Sequence, residues 1–186
     1  MPVLISRDES VLLVIDIQEK LLPDIPGGEA LLLRVSLLLE AAKVTGVPVL
    51  LTEHAPQGLG PTVGPIRAEL LPGTEPIIKT TFSCVYEPNF LIRLKATDRR
   101  QVVIAGIWTH VCVTQTALEL VRGGWSVFLA ADATGSPRPA DRDVALERLR
   151  QAGIVVTTAE SVVFEWMVRS GTPEFKAVQH RLKALL

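Results

Sequence analysis

Cysteine is scarce in this chain: only Cys84 and Cys112 occur. Two thiols cannot form the disulfide framework of a small secreted domain, so a reducing, cytoplasmic setting is expected. An excess of charge of one sign is also missing. Lys and Arg total 19 against 20 Asp and Glu, a formal net charge of -1. Without surplus cations, nucleic acid and polybasic membrane contacts lose their usual driving force. No apolar run approaches the ~18 residues of a membrane span. The opening MPVLISRDES carries Asp8 and Glu9 and no basic stretch ahead of an apolar one, so it does not read as a signal peptide. Histidine is limited to His54, His110 and His180, on separate segments without ligand spacing. No metal and no cofactor are expected.

What is present is enough for one folded unit. The chain has 186 residues, 48% hydrophobic and 21% charged. A chain of this size buries roughly 70% of its unfolded surface without staples. Residues 1–186 are therefore expected to form a single domain.

Short apolar runs alternate with longer amphipathic ones. Val11–Ile15, Val47–Leu51, Val102–Gly106, Val127–Ala131 and Ile154–Thr157 lack polar alternation, as strands buried on both faces do. Pro76–Lys79 is a weaker sixth. Helices are predicted over Glu29–Thr45, from Glu87-Pro88-Asn89 to Ala96, and over Val111–Arg122, Pro139–Ala152 and Thr172–Leu185, most bounded by Gly or Pro. The Glu29–Thr45 segment is apolar on nearly every face, so it is either deeply packed or pressed against another subunit. The alternation predicts an α/β fold with a parallel sheet and helices on both faces. The irregular stretch His54–Pro65 follows a strand's carboxyl end, the edge where open α/β sheets bind ligands.

Three residues share that edge. Asp16 follows the first strand, Lys79 ends the weak third one, and Cys112 stands where a helix begins. Each has a plain structural reading: a cap, a solvated surface charge, a small buried hydrophobe. Together they can do chemistry. A free thiol has a pKa of ~8.5; a helix N-terminus and a nearby ammonium both favour its thiolate. An adjacent carboxylate can take the thiol proton and return it to a leaving amine.

The segments IDIQ (Ile15–Gln18), IKTTFS (Ile78–Ser83) and GIWTHVCV (Gly106–Val113) together resemble the isochorismatase-like cysteine hydrolase superfamily. TEHAPQGLGPT (Thr52–Thr62), DATGS (Asp132–Ser136) and PEFKAVQ (Pro173–Gln179) are most similar to its isochorismatase-domain-containing branch. The resemblance runs from about Val11 to about Leu182. It implies a three-layer α/β/α sandwich around a six-stranded parallel sheet of order 3-2-1-4-5-6. It also implies Cys112 as nucleophile, Asp16 as acid/base and Lys79 as their electrostatic partner. A cis peptide at Ile107–Trp108 and an oxyanion hole from the N–H groups of Trp108 and Cys112 follow from it too. In that strand order Lys79 must reach across a strand to meet Asp16.

Other residues carry narrower expectations. Trp108 stands where many relatives have a small residue or Glu, and either narrows the pocket or packs away from it. Gln18, His54, Trp108 and Ile107 are expected around the substrate, with Gln18 bonding the loop that bears Lys79. His110 reads as structural or pocket-lining, and Cys84 as space-filling. Asp132 reads as fixing its turn, and Arg138, Asp141 and Arg142 as a solvated helix start. The expected reaction is hydrolysis of a small amide or related C–N bond through a thioester. Vinyl-ether hydrolysis of isochorismate ranks second, because no Arg cluster waits for two carboxylates. A non-catalytic or redox-sensing protein with a reactive Cys112 is the third reading. A small-molecule substrate and a homo-oligomer are expected.

Overall fold

A computed structural model describes residues 4–185. The first three residues and the last, which the N-terminal and single-domain readings included, lie outside the described residues. In chain order the main elements are β1 (Ser10–Ile15), α1 (Gly28–Thr45), β2 (Val49–His54), α2 (Pro56–Leu59), α3 (Gly64–Arg67) and β3 (Ile77–Lys79). There follow α4 (Pro88–Ala96), β4 (Gln101–Ile107), α5 (Thr114–Arg122), β5 (Ser126–Gly135), α6 (Pro139–Gln151), β6 (Val155–Thr157), α7 (Ala159–Met167) and α8 (Pro173–Ala184).

The six strands form one parallel sheet in the order β3-β2-β1-β4-β5-β6. Alternation along β1 sends Leu12 and Val14 to one face and Val11, Leu13 and Ile15 to the other. The first face is covered by α1, α7 and α8, through Val35, Leu38, Val163, Trp166 and Val178. The second is covered by α4, α5 and α6, through Phe90, Leu94, Ala117, Leu120 and Leu149. Both faces of β1 are dry, which is why its sequence is a continuous apolar run.

Several boundaries differ from the sequence reading. The second strand starts later and runs on through Thr52, Glu53 and His54 to the ligand edge. The fifth continues to Gly135, past an irregularity in its register with β4. Helix α7, which follows β6 with only Thr158 between them, was not anticipated. Thr158 caps it by accepting from the Ser161 N–H. With α8, it packs on α1, so most of the apolar surface of α1 is met within the chain, while Leu33 stays exposed. The irregular stretch after β2 contains the two single-turn helices α2 and α3.

Gly106 fixes the closest approach in the sheet. Its φ is 129°, and a Cβ there would lie 2.1 Å from the Ile15 carbonyl oxygen. Only glycine fits, so the carboxyl ends of β1 and β4 lie directly against each other.

Candidate active site

Asp16 leaves β1 with a left-handed backbone, φ 53°, a conformation Asp tolerates better than most residues. Its N–H donates to the Thr52 carbonyl at 3.2 Å. This turn aims the carboxylate at two donors. Lys79 Nζ lies 2.6 Å from Oδ2, and Thr52 Oγ1 donates to Oδ1 at 2.6 Å.

Lys79 does span the rim. It ends the edge strand β3, paired with His54 of β2, and its stem runs inward until the side chain is fully buried. The ammonium also donates to the carbonyls of Thr81 at 3.2 Å and Phe82 at 3.4 Å, and stands 3.6 Å from Cys112 Sγ. Asp16, Lys79 and Cys112 are thus brought together.

Cys112 does not sit in a plain first helical turn. It lies in a π-type turn, Thr109–Val113, that links β4 to α5; such turns often mark functional positions. The Thr114 hydroxyl donates to the Thr109 carbonyl at 2.6 Å and fastens the turn. The Ile107–Trp108 peptide bond at its entrance is cis.

The electrostatics correct one expectation. Burial, and after it the charge of Asp16, push the Cys112 thiol up to about 12, against the opposing pull of Lys79. Cys112 therefore rests as a thiol, not a thiolate. Burial works against the Lys79 ammonium, but Asp16 and the two thiols outweigh it and hold its pKa above the ordinary value. Burial and then Lys79 lower the pKa of His54, so that imidazole is neutral at pH 7.

These groups floor a cavity of about 200 Å3, lined by Asp16, Leu21, His54, Leu59, Phe82, Ile107, Trp108, Val111 and Cys112. Trp108 faces this space rather than turning away. The His54 ring stacks on Phe82, centroids 5.5 Å apart.

Gln18 is buried and does not line the cavity. Its amide donates to the carbonyls of His54 at 3.0 Å and Gly60 at 2.6 Å, and accepts from the His54 N–H at 2.7 Å. It clamps the loop after β2, not the one bearing Lys79. Thr52 is the polar partner that sequence reasoning missed; its signal was a hydroxyl in register with Ile15, beside Asp16. Leu21, Leu59, Phe82 and Val111 were missed as cavity walls.

Cys84 is fully buried beneath the trio, its thiol raised to about 11, chiefly by burial and then by Asp16. Asp132 does fix its surroundings: it accepts from the Ala159 N–H at 2.7 Å and pairs with Arg34 at 3.2 Å. Arg142 is not merely solvated, since it donates to the Ala131 carbonyl at 2.5 Å. Among the described residues, no three His, Cys, Asp or Glu side chains converge as a metal-holding group. Glu53, next to His54, instead accepts from the N–H and hydroxyl of Thr62 at 2.7 and 2.8 Å.

The isochorismatase domain model matches residues 10–161. The chain belongs to the isochorismatase family. Isochorismatase domain-containing protein 2 of Danio rerio is 37% identical over 178 residues, 96% of this chain and 89% of that protein. Among solved structures, the MAR1 ribonuclease from Caenorhabditis elegans superposes with a TM-score of 0.92 at 33% identity, covering 97% of this chain and 93% of that one. The YcaC gene product of Escherichia coli, described as an octameric hydrolase of unknown specificity, gives a TM-score of 0.88 at 28% identity, covering 100% and 90%. The chain has the fold of a hydrolase family. Among the described residues, no helix is long and apolar enough to cross a membrane.

Proposed function

We propose that the protein is a cysteine hydrolase that cleaves a small, uncharged amide or related C–N bond through a thioester on Cys112. The observation that carries this reading is one buried ammonium, Lys79, 2.6 Å from the Asp16 carboxylate and 3.6 Å from the Cys112 thiol, with that carboxylate and that thiol both lining one cavity. As sulfur attacks the carbonyl carbon, the thiol proton passes to Asp16. The N–H groups of Trp108 and Cys112 receive the developing oxyanion. The C–N bond then breaks, and Asp16 returns the proton to the departing amine. Water attacks the thioester, again losing a proton to Asp16, and the acid leaves as sulfur recovers its proton. Lys79 offsets the carboxylate charge throughout.

Size and charge restrict the substrate. An apolar cavity of roughly 150 Å3 holds benzene, so about 200 Å3 admits a short branched acyl group or one ring. No Arg lines the cavity, and the Lys79 ammonium is taken up by Asp16 and two carbonyls. A dicarboxylate such as isochorismate would therefore be desolvated without partners. The same shortage of cations, with a net charge of -1, disfavours RNA, despite the name of one structural neighbour. A small-molecule substrate, a reduced cytoplasmic setting and a homo-oligomer, as in the octameric neighbour, complete the proposal.

The test is a panel of small neutral amides, isochorismate and a short RNA, each with wild type and Cys112→Ser. Amine release from an amide, with an acyl adduct on the intact protein mass, is expected for wild type alone. Turnover of isochorismate or RNA but of no amide would overturn the reading.

A further inference from the structure

Trp108 walls the cavity, yet its Nε1 has no hydrogen-bond partner among the described residues. The indole is therefore oriented by packing. The His110 ring stacks on it, centroids 5.9 Å apart and planes 15° from parallel. His110 is itself pinned by the segment joining β5 to α6. Its Nδ1 shares a hydrogen bond with the buried Ser136 Oγ at 2.9 Å, and its Nε2 lies 3.8 Å from Asp141 Oδ2. Arg138 holds that carboxylate with two nitrogens, at 2.7 and 2.6 Å. Arg142 ties the segment back to β5 through the carbonyls of Ala131 and Thr134. None of these side chains except Trp108 lines the cavity.

We infer that His110 is a positioning residue: it forms a strut from α6 to the Trp108 indole and so sets how large an acyl group the cavity accepts. This rests on the hydrolase reading for its kinetic consequence, but not for its geometry. A ring presented by Trp108 acts on binding of the ring-sized part of a substrate. It does not act on the Asp16–Cys112 proton transfer. His110 therefore governs KM for bulky amides and leaves kcat nearly alone.

The experiment compares His110→Ala, His110→Phe and Ser136→Ala with wild type. Benzamide and acetamide serve as substrates. Acrylamide and 2-phenylacrylamide, which differ by a ring on the acyl side, serve as probes that need no turnover. With the probes, the Cys112 S–H adds across the C=C bond, sulfur bonding to the terminal carbon and the proton ending on the carbon next to the carbonyl.

For His110→Ala, KM for benzamide and the half-saturating 2-phenylacrylamide concentration should rise about tenfold, the upper end of what an aromatic pair contributes. The values for acetamide and acrylamide should not move. His110→Phe, which keeps the stacking face, should restore both. Ser136→Ala, a milder change should the first fail to fold, should lie between. Tryptophan fluorescence should change on His110→Ala in the wild-type background and not in a Trp108→Phe background. Unchanged probe saturation in His110→Ala, or a loss of kcat at constant KM that Phe does not rescue, would overturn the strut. If wild type turns over no amide yet the probe shift appears, the hydrolase reading fails and the strut stands.

Discussion

Lys79 Nζ lies 2.6 Å from Asp16 Oδ2, and neither side chain meets solvent. Removing one member of such a pair strands the other, at a cost of about 3–5 kcal/mol. Lys79→Met should therefore lose activity and stability together. The double variant Lys79→Met, Asp16→Asn, with no buried charge left, should recover most of the stability and none of the activity. Urea unfolding of wild type and both variants checks this. A double variant no more stable than Lys79→Met would show that the charges are not coupled.

Asp16 has two opposed effects on sulfur. It is placed to take the thiol proton, and its charge holds that proton on. Asp16→Asn removes the base and leaves Lys79 facing the thiol alone, so the thiol pKa falls. Amide turnover should drop about 10²–10⁴-fold, the usual contribution of a positioned acid/base. Iodoacetamide labelling of Cys112 at pH 8 should become faster, with its pH midpoint moved down. Slower labelling would mean that Asp16 activates the resting thiol directly.

Thr52→Val keeps the shape and deletes the hydroxyl that donates to Asp16 Oδ1. A buried acceptor losing a donor costs about 1–3 kcal/mol, here on the carboxylate proposed as the acid/base. Turnover should fall by one to two orders of magnitude, roughly what that energy implies, with near-UV circular dichroism unchanged. Wild-type kinetics would remove Thr52 from the site.

How much of this was readable from the residues follows from what each depends on. Strands β1, β4 and β5 announce themselves because burial on both faces demands unbroken apolar runs. The edge strand β3 has one exposed position, Ile78, and its three residues leave little pattern. Asp16, Lys79 and Cys112 were placed by chain order and resemblance. That a lysine at an edge strand turns inward is a tertiary fact with no local signal. Thr52 was hidden because the second strand, which ends at His54, was read as ending at Leu51, three residues short. Gln18 was placed near the site but given the wrong loop, since which carbonyls it meets depends on how the stretch after β2 folds back. Helix α7 was missed because no Gly or Pro separates it from β6, although Thr158 supplied its cap.

Gln18 satisfies three backbone groups of that folded-back loop, which carries His54 and Leu59 to the cavity. Gln18→Leu leaves those groups buried and unpaired, at about 1–3 kcal/mol. KM for a small amide should rise well before kcat falls, and hydrogen exchange should quicken at residues 54–60 with the sheet still protected. Exchange unchanged in that loop would show that the clamp is dispensable.

The two thiols also make stability depend on pH in a particular direction. Cys84 is pushed up to about 11 and Cys112 to about 12 in the fold, burial being the first cause in each. In the unfolded chain both titrate near ~8.5. Folded pKa values above unfolded ones mean that the stabilisation is complete below pH ~8.5 and drains away as pH climbs towards the folded values. Over that window each thiol should remove roughly 1.4 kcal/mol per pH unit, and Lys79, also raised, adds to the loss only above its own unfolded value. Cys84→Ser keeps a small polar side chain but no ionisable proton in this range, so its urea midpoint should decline more gently between pH 8 and 10 than that of wild type. Parallel declines would place Cys84 in water rather than beneath Asp16.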